Sequence, residues 1–222
     1  AVRLERKAVY TFRARIAAEW RKGRMLLAGD AAHQTPPFAG QGMCSGLRDA
    51  ANLAWKLAAV IHGKAGDTTL DSYQIERAPN LRATIDMAIM MGKTVCITSK
   101  WGAFVRDTKF KHARALGKLP SGPPDYPPIT AGLIRAGTAG AGSYFPQPVA
   151  GDGTRLDTVL GIGDWEISRD NLNTAPLAPF AGPLARWFDK QDAEAVLVRP
   201  DRYVFGTGDA KSLASEWAAL LG

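Results

Sequence analysis

The residues best suited to chemistry lie between Gly23 and Gly46. Arg24 to Ala28 is a short apolar-rich run ending in Gly29-Asp30, which reads as a buried strand delivering a carboxylate where it meets a loop. Pro36-Pro37 keeps that loop out of the helical region. Gly40, Gly42 and Gly46 then lead into a helical pattern. Bare amides at a helix start, with no Cβ to hold a ligand away, suit an anion or an electron-rich carbonyl. Asp30 can accept hydrogen bonds from sugar-like hydroxyls. The same residues also suit a plain role, with Asp30 capping a turn and the glycines tightening it, and residue types alone leave both open.

Other chemistries fit less well. Gly40, Gly42 and Gly46 mimic a GxGxxG phosphate motif, but the third glycine is one position late. No strand runs directly into it, and no acidic residue ends a strand about 20 positions on. A P-loop would need Gly-Lys-Ser/Thr, which is absent. His33, His62 and His112 are too far apart to suggest a metal site. Cys44 and Cys96 form no CxxC and no disulfide framework, so a reducing cytoplasm is the simpler home. His33 reads as a structural hydrogen-bonder beside the loop and Cys44 as a packed thiol. Tyr10, Arg13 and Arg15 suit an aromatic acid and a solvated strand face equally.

The elements that must position this stretch follow from periodicity. Val9 to Ile16 alternates, with Tyr10, Phe12, Ala14 and Ile16 on one face and Thr11, Arg13 and Arg15 on the other, which predicts a half-buried strand. From Gly42 to about His62 the spacing predicts a helix, with Leu47, Ala50/Ala51, Ala54, Leu57/Ala58 and Ile61 as its inward stripe and Gly63 as its stop. A second helix starts near Asp71, meets Pro79 and resumes as far as Val95, with Leu81, Ile85, Ala88/Ile89 and Cys96 inward. Later come a short helix over Pro183 to Asp189 and strands around Trp165 to Ser168, Ala195 to Arg199 and Arg202 to Phe205. An amphipathic helix from Asp209 to Leu221 closes the series.

Composition divides the chain. Residues 1–118 carry 20 Lys+Arg against 9 Asp+Glu, whereas residues 119–222 carry 8 against 12, so the two parts have different surroundings. The switch falls at a proline-dense stretch, Leu119 to Pro128, followed by glycines from Gly132 to Gly142. That composition reads as a stiff linker. The expected organisation is therefore 1–118, a linker over 119–142, and a small α/β domain over 143–222. No apolar run approaches the roughly 20 residues of a membrane helix. The basic first part shows no nucleic-acid motif and no aromatic–basic interleaving, so neither a membrane nor nucleic acid is expected as partner. The start, Ala1-Val2-Arg3, lacks an initiator Met and an apolar signal core and reads like the middle of a longer chain.

The run from Gly23 to Leu57, with Arg48-Asp49-Ala50 and Asn52 to Leu57, resembles the second flavin motif of the class A FAD-dependent aromatic hydroxylases, flavoprotein monooxygenases of the para-hydroxybenzoate hydroxylase type. Leu70 to Pro79 is similar to that family's LDxYxxER-P helix. Val9 to Phe12 and Gln41 to Asp49 look most like 3-(3-hydroxyphenyl)propionate hydroxylases and their phenol hydroxylase relatives. Arg199 to Val204 resembles the thioredoxin-like C-terminal domain of the same subgroup. The resemblance implies an α/β fold: the C-terminal part of a para-hydroxybenzoate-hydroxylase-like FAD domain, followed by a thioredoxin-like domain.

It also implies FAD as cofactor, with NAD(P)H as reductant, and a small phenolic substrate hydroxylated by O2 through a flavin C4a-hydroperoxide. Gly29 and Asp30 would meet the ribityl chain, and the backbone of Gly42, Met43 and Cys44 would meet the flavin N1–C2=O edge. Pro37 would sit beside the isoalloxazine. No catalytic residue is assigned. The family's opening GxGxxG unit is not in these residues, so the resemblance implies a partner portion N-terminal to this chain and half a flavin site within it. No cysteine follows Cys96, so the last domain cannot run thiol–disulfide exchange and would serve folding or assembly, often as a homodimer interface. A non-catalytic binding or assembly module derived from such an enzyme is the competing expectation. A flavin oxidase or halogenase on the same scaffold is a weaker one.

Overall fold

A computed structural model describes residues 5–118 and 126–222; the expected linker's first part, 119–125, lies outside the described residues. The fold is mixed α/β. Near its start, β1 (Arg15–Ile16) pairs antiparallel with β4 (His33–Gln34), and β2 (Arg21–Lys22) pairs with β3 (Met25–Leu26). The long strand expected over Val9 to Ile16 is therefore reduced to its last two residues. Residues 9–14 have no ladder partner among the described residues, and the expected inward face, including Tyr10 and Phe12, is exposed. Alternation specifies a strand only where a neighbour accepts its hydrogen bonds.

Three long helices follow: α1 (Gly42–Ile61), α2 (Ser72–Val95) and α3 (Lys100–Ala115). Gly63, at φ +67°, stops α1 as expected. Pro79 lies within α2 without ending it. α3, capped by Ser99 through the Gly102 amide, was not anticipated from the sequence.

The buried face of α1 is a second departure. The expected stripe leaves Leu47 and Ile61 exposed, and the side chains that are buried are Ser45, Asp49, Asn52, Leu53 and Lys56. This face recurs at helical spacing but is largely polar, which burial permits only where each charge finds a partner. On α2, Leu81, Ile85 and Ala88 are buried as expected, whereas Cys96 is exposed.

The C-terminal region is built from α4 (Leu156–Leu160), β5 (Trp165–Ser168), α5 (Ala181–Gln191), β6 (Ala195–Val198), β7 (Val204–Gly208) and α6 (Ala210–Leu221). The strands form one antiparallel sheet in the order β5-β6-β7. β6 is central and buried on both faces, which explains its unbroken Ala-Val-Leu-Val run. Val196 and Val198 join Trp165, Ile167, Leu184 and Phe188 on one side, and Ala195 and Leu197 join Phe205, Leu213 and Trp217 on the other. Asp209 caps α6 through the Ser212 amide.

The chain forms two compact units, one of Ala1–Gly46 with Arg82–Pro124 and the other of Leu47–Leu81 with Asp125–Gly222. This division follows packing rather than the charge reversal at residue 118. Most of α1 and the first part of α2 share a unit with the C-terminal sheet.

Candidate functional site

In the first unit, Gly29, Asp30 and Ala31 form one turn of 3-10 helix directly after the β3 segment, and Pro37 to Ala39 form another that Gly40 ends at φ +62°. Gly29 has φ +58°, a conformation that a side chain would strain. A Cβ on Gly46 would lie 3.3 Å from the Gly29 Cα, so the two backbones approach as closely as two glycines allow. The Asp30 turn is thereby held against the first turns of α1. The Pro37 turn is fixed from another side. Phe38 lies over Gly92 of α2, where an added Cβ would fall 2.5 Å from its ring carbons.

The six residues expected at a flavin are thus gathered on one short segment: Gly29 and Asp30 on the first turn, Pro37 on the second, and Gly42, Met43 and Cys44 opening α1. Asp30 is exposed and makes no hydrogen bond or ion pair among the described residues. Gly42 has no side chain and open space where a Cβ would stand, and Met43 is 77% exposed. Cys44 is a free, half-buried thiol. His33 is buried with its ring tilted at 36° and 5.8 Å from Trp20. An open helix start of this kind presents unpaired N–H groups and the positive end of a 20-residue dipole. A carboxylate on the neighbouring turn adds an acceptor for hydroxyls. The combination fits the polyol chain and polarised carbonyl edge of a flavin. Asp30 also lines a cleft of about 390 Å³ with Thr11, Phe12, Arg13, Arg15, Gln34 and Thr35. No group of His, Cys, Asp and Glu able to hold a metal occurs among the described residues.

The second unit holds what residue-type reasoning missed. Glu76 of α2 accepts from Lys56 (2.8 Å), Arg199 (2.7 Å) and Asn52 (2.7 Å) on one oxygen, and from the Leu133 amide (2.8 Å) on the other. Arg199 also binds Asp201 (2.7 Å), which accepts from Asn52 (2.8 Å). Beside it, Arg77 pairs with Asp49 (2.9 Å) and donates to Asn80 (2.5 Å) and Tyr203 (3.3 Å). The side chains of both sets of ion pairs are fully buried.

Burial alone would raise the Glu76 carboxyl, but Arg199 and Lys56 outweigh it and hold it at about 2. Burial pushes the Lys56 ammonium down to about 8, against the pull of Glu76 and with repulsion from Arg199. Both values fall, for opposite reasons: at Glu76 two cations outweigh burial, whereas at Lys56 burial and Arg199 outweigh Glu76 and Asp201. Near neutral pH both are charged. These residues spell the Glu-Arg of the LDxYxxER-P helix and the Arg-Pro-Asp of 199–201. Apolar spacing pointed to a different face of α1 and gave no signal of their pairing. They form structural scaffolding and lie in the unit that does not contain the flavin-type loop.

Two protein families match the chain: one described as an FAD binding domain over residues 1–88 and one described as the HcaD C-terminal domain over residues 167–222. The chain is 38% identical to a probable NADH-specific resorcinol 4-hydroxylase of Rhodococcus jostii RHA1, covering 95% of this chain and 45% of that protein. It is 33% identical to a 3-(3-hydroxy-phenyl)propionate/3-hydroxycinnamic acid hydroxylase of Mycobacterium sp. JLS, covering 100% and 48%. The chain therefore spans about half the length of the curated relatives it matches. Among solved structures, it superposes on the rebeccamycin biosynthetic enzyme RebC with a TM-score of 0.63 at 22% identity, over 93% of this chain and 47% of RebC. It superposes on the flavin-dependent monooxygenase PieE, solved with FAD and substrate, with a TM-score of 0.63 at 22% identity, over 95% and 49%. These structures share its fold. No helix of the described residues is long and apolar enough to cross a membrane. By sequence, the chain is similar to aromatic hydroxylases over about half of their length and matches an FAD binding domain over residues 1–88, and it shares the fold of RebC and PieE.

Proposed function

We propose that the protein carrying this chain hydroxylates a phenolic aromatic compound, of the hydroxyphenylpropionate type, using FAD, O2 and NAD(P)H. The observation that carries this reading is the close approach of Gly29 and Gly46, which sets the Asp30 turn beside the open start of α1. Bound FAD supplies the redox chemistry and the activation of oxygen; this chain supplies position and electrostatics. Asp30 accepts hydrogen bonds from the ribityl hydroxyls. The amides of Gly42, Met43 and Cys44 face the flavin N1–C2=O edge, where the helix dipole favours negative charge. Pro37 shapes the wall beside the ring system where the phenol reacts. A portion N-terminal to this chain would complete the cofactor site.

Residues 143–222 are read as a thioredoxin-like part without redox cysteines, acting in assembly, with a homodimer as the simplest arrangement. The free thiols of Cys44 and Cys96 accord with a cytoplasmic home. The test is FAD affinity of the holoenzyme, measured by flavin fluorescence, with and without Asp30→Ala. Weakened binding supports the assignment and unchanged affinity overturns it.

A further inference from the structure

Gly92 is the only glycine of α2 and stands three residues before the helix ends. Leu81, Ile85 and Ala88 form the buried stripe of this helix, and Gly92 is buried one helical step further along it. Glycine inside a helix is disfavoured relative to alanine, because it loses more backbone freedom on folding. Gly92 is helical and takes no positive φ, so its backbone is one that alanine adopts without strain. What the position requires is the missing Cβ. That atom would lie 2.5 Å from Cδ2 and Cε2 of Phe38 and 3.1 Å from its Cγ. Contact with Cγ reaches the base of the ring, so the ring cannot escape by flipping in place.

Phe38 is the middle residue of the Pro37–Ala39 turn. Its side chain is 38% exposed, with the ring face towards α2 seated on bare backbone. The Gly40 amide donates to the Pro37 carbonyl (2.9 Å), a bond that sets the shape of the turn but not its place. The seat on Gly92 sets the place. This end of α2 is itself braced: Arg106 of α3 donates to the Thr94 carbonyl (3.1 Å) while paired with Asp107 (2.8 Å). α3 thus steadies the stretch of α2 that carries Gly92, and Gly92 seats Phe38.

We propose that Gly92 is a positioning residue for the Pro37 turn, acting through the Phe38 ring. Its effect at a cofactor rests on the hydroxylase reading, in which Pro37 walls the isoalloxazine, whereas the seat itself does not. In Gly92→Ala the ring must swing towards solvent, and the turn loses its outer brace. A misplacement of about 1 Å beside reacting groups costs on the order of 100-fold in rate, so even a partial shift of Pro37 is measurable.

The seat is read in the 222-residue chain. Hydrogen–deuterium exchange follows the peptide containing the Gly40 amide, and thermal unfolding by circular dichroism follows the helices. Gly92→Ala should speed that exchange several-fold and fail to raise the unfolding midpoint. In a Phe38→Ala background the same substitution should raise the midpoint, as alanine for glycine does in an unobstructed helix. An equal rise in both backgrounds, or unmoved exchange at Gly40, overturns the proposal. The positioning role is read in the full-length holoenzyme. There Gly92→Ala should shift the visible absorption bands of bound FAD and lower kcat/KM for 3-(3-hydroxyphenyl)propionate by roughly tenfold. Gly92→Ala/Phe38→Leu offsets the added methyl with a smaller side chain and should return both towards wild type. A contact that served stability alone would move the midpoint and leave the bands in place, and that result also overturns the positioning role. If the wild-type holoenzyme carries no flavin, the hydroxylase reading fails, while exchange and midpoints still decide the seat.

Discussion

Replacing Glu76 with alanine should be among the most damaging single substitutions in the C-terminal unit. The carboxylate receives four donors, two of them from the buried cations Lys56 and Arg199. Arg199 would keep Asp201 and the Leu133 carbonyl, but the Glu76 bond is the Lys56 ammonium's hydrogen bond within this network. Removing one partner of a buried ion pair costs about 3–5 kcal/mol, because the other charge is left without compensation. Lys56 limits that penalty. Its ammonium is already pushed down to about 8 with Glu76 present, so without Glu76 it sheds its proton more readily. A loss of about 3 kcal/mol at neutral pH is expected, a large share of the roughly 5–15 kcal/mol that stabilises a typical domain.

Urea unfolding followed by tryptophan fluorescence would report it directly, since Trp55 and Trp217 pack 5.6 Å apart in this unit. Lys56 and Glu76 should also be energetically coupled. Lys56→Met/Glu76→Gln leaves Arg199 and Asp201 paired and no lone charge. It should therefore cost less than the two single substitutions added together, by on the order of 1–3 kcal/mol. A loss below about 1 kcal/mol for Glu76→Ala, or strict additivity in the double substitution, would refute the claim that these charges form one network.

The remaining predictions concern acid stability, glycine geometry and the cofactor. The folded Glu76 carboxyl lies at about 2, below its ordinary 4.5, so its contribution is present above pH 4.5 and lost as pH falls towards 2; acid titration of stability should show this limb, and Glu76→Gln should remove it. Lys56 works in the alkaline range: its folded value of about 8 lies below 10.5, so stability from this group should rise between those values and the rise should vanish in Lys56→Met. Gly132→Ala combines a φ of +90° with a Cβ 2.3 Å from the Glu76 side chain, so more than about 2 kcal/mol should be lost in urea titration. Asp30→Ala should weaken FAD binding by roughly 1.5–3 kcal/mol, or about 10- to 150-fold, with little change in unfolding midpoint. Gly46→Ala should weaken FAD binding and shift the midpoint together, because its Cβ would press on the Gly29 backbone at 3.3 Å.

What the sequence made legible, and what it hid, divides along a physical line. Features set by a few adjacent residues were readable: the start of α1 at Gly42 and its stop at Gly63, the extent of α6, and the short strands β5 and β6. The segment from Gly23 to Gly46 was readable in part: Gly29 and Gly40 take the left-handed conformation that turns require, but the buried strand expected over Arg24 to Ala28 is only Met25–Leu26, with Met25 and Leu27 exposed. Features that depend on distant partners were not. The Val9 to Ile16 alternation is real, but among the described residues only β4 answers it, over two residues. The inward face of α1 was misread because apolar spacing at Leu47, Ala50, Ala54 and Ile61 is the usual mark of burial. Asp49, Asn52 and Lys56 share a second stripe at the same period, and they are buried because Glu76, Arg77, Arg199 and Asp201 arrive from up to 149 residues away. A polar stripe is buried when its charges can be paired, and periodicity records the stripe without recording the partner. The same network explains why the compact units ignore the charge reversal at residue 118. Net charge reports a segment's surface, whereas Arg199 and Asp201 are spent inside, against α1 and α2.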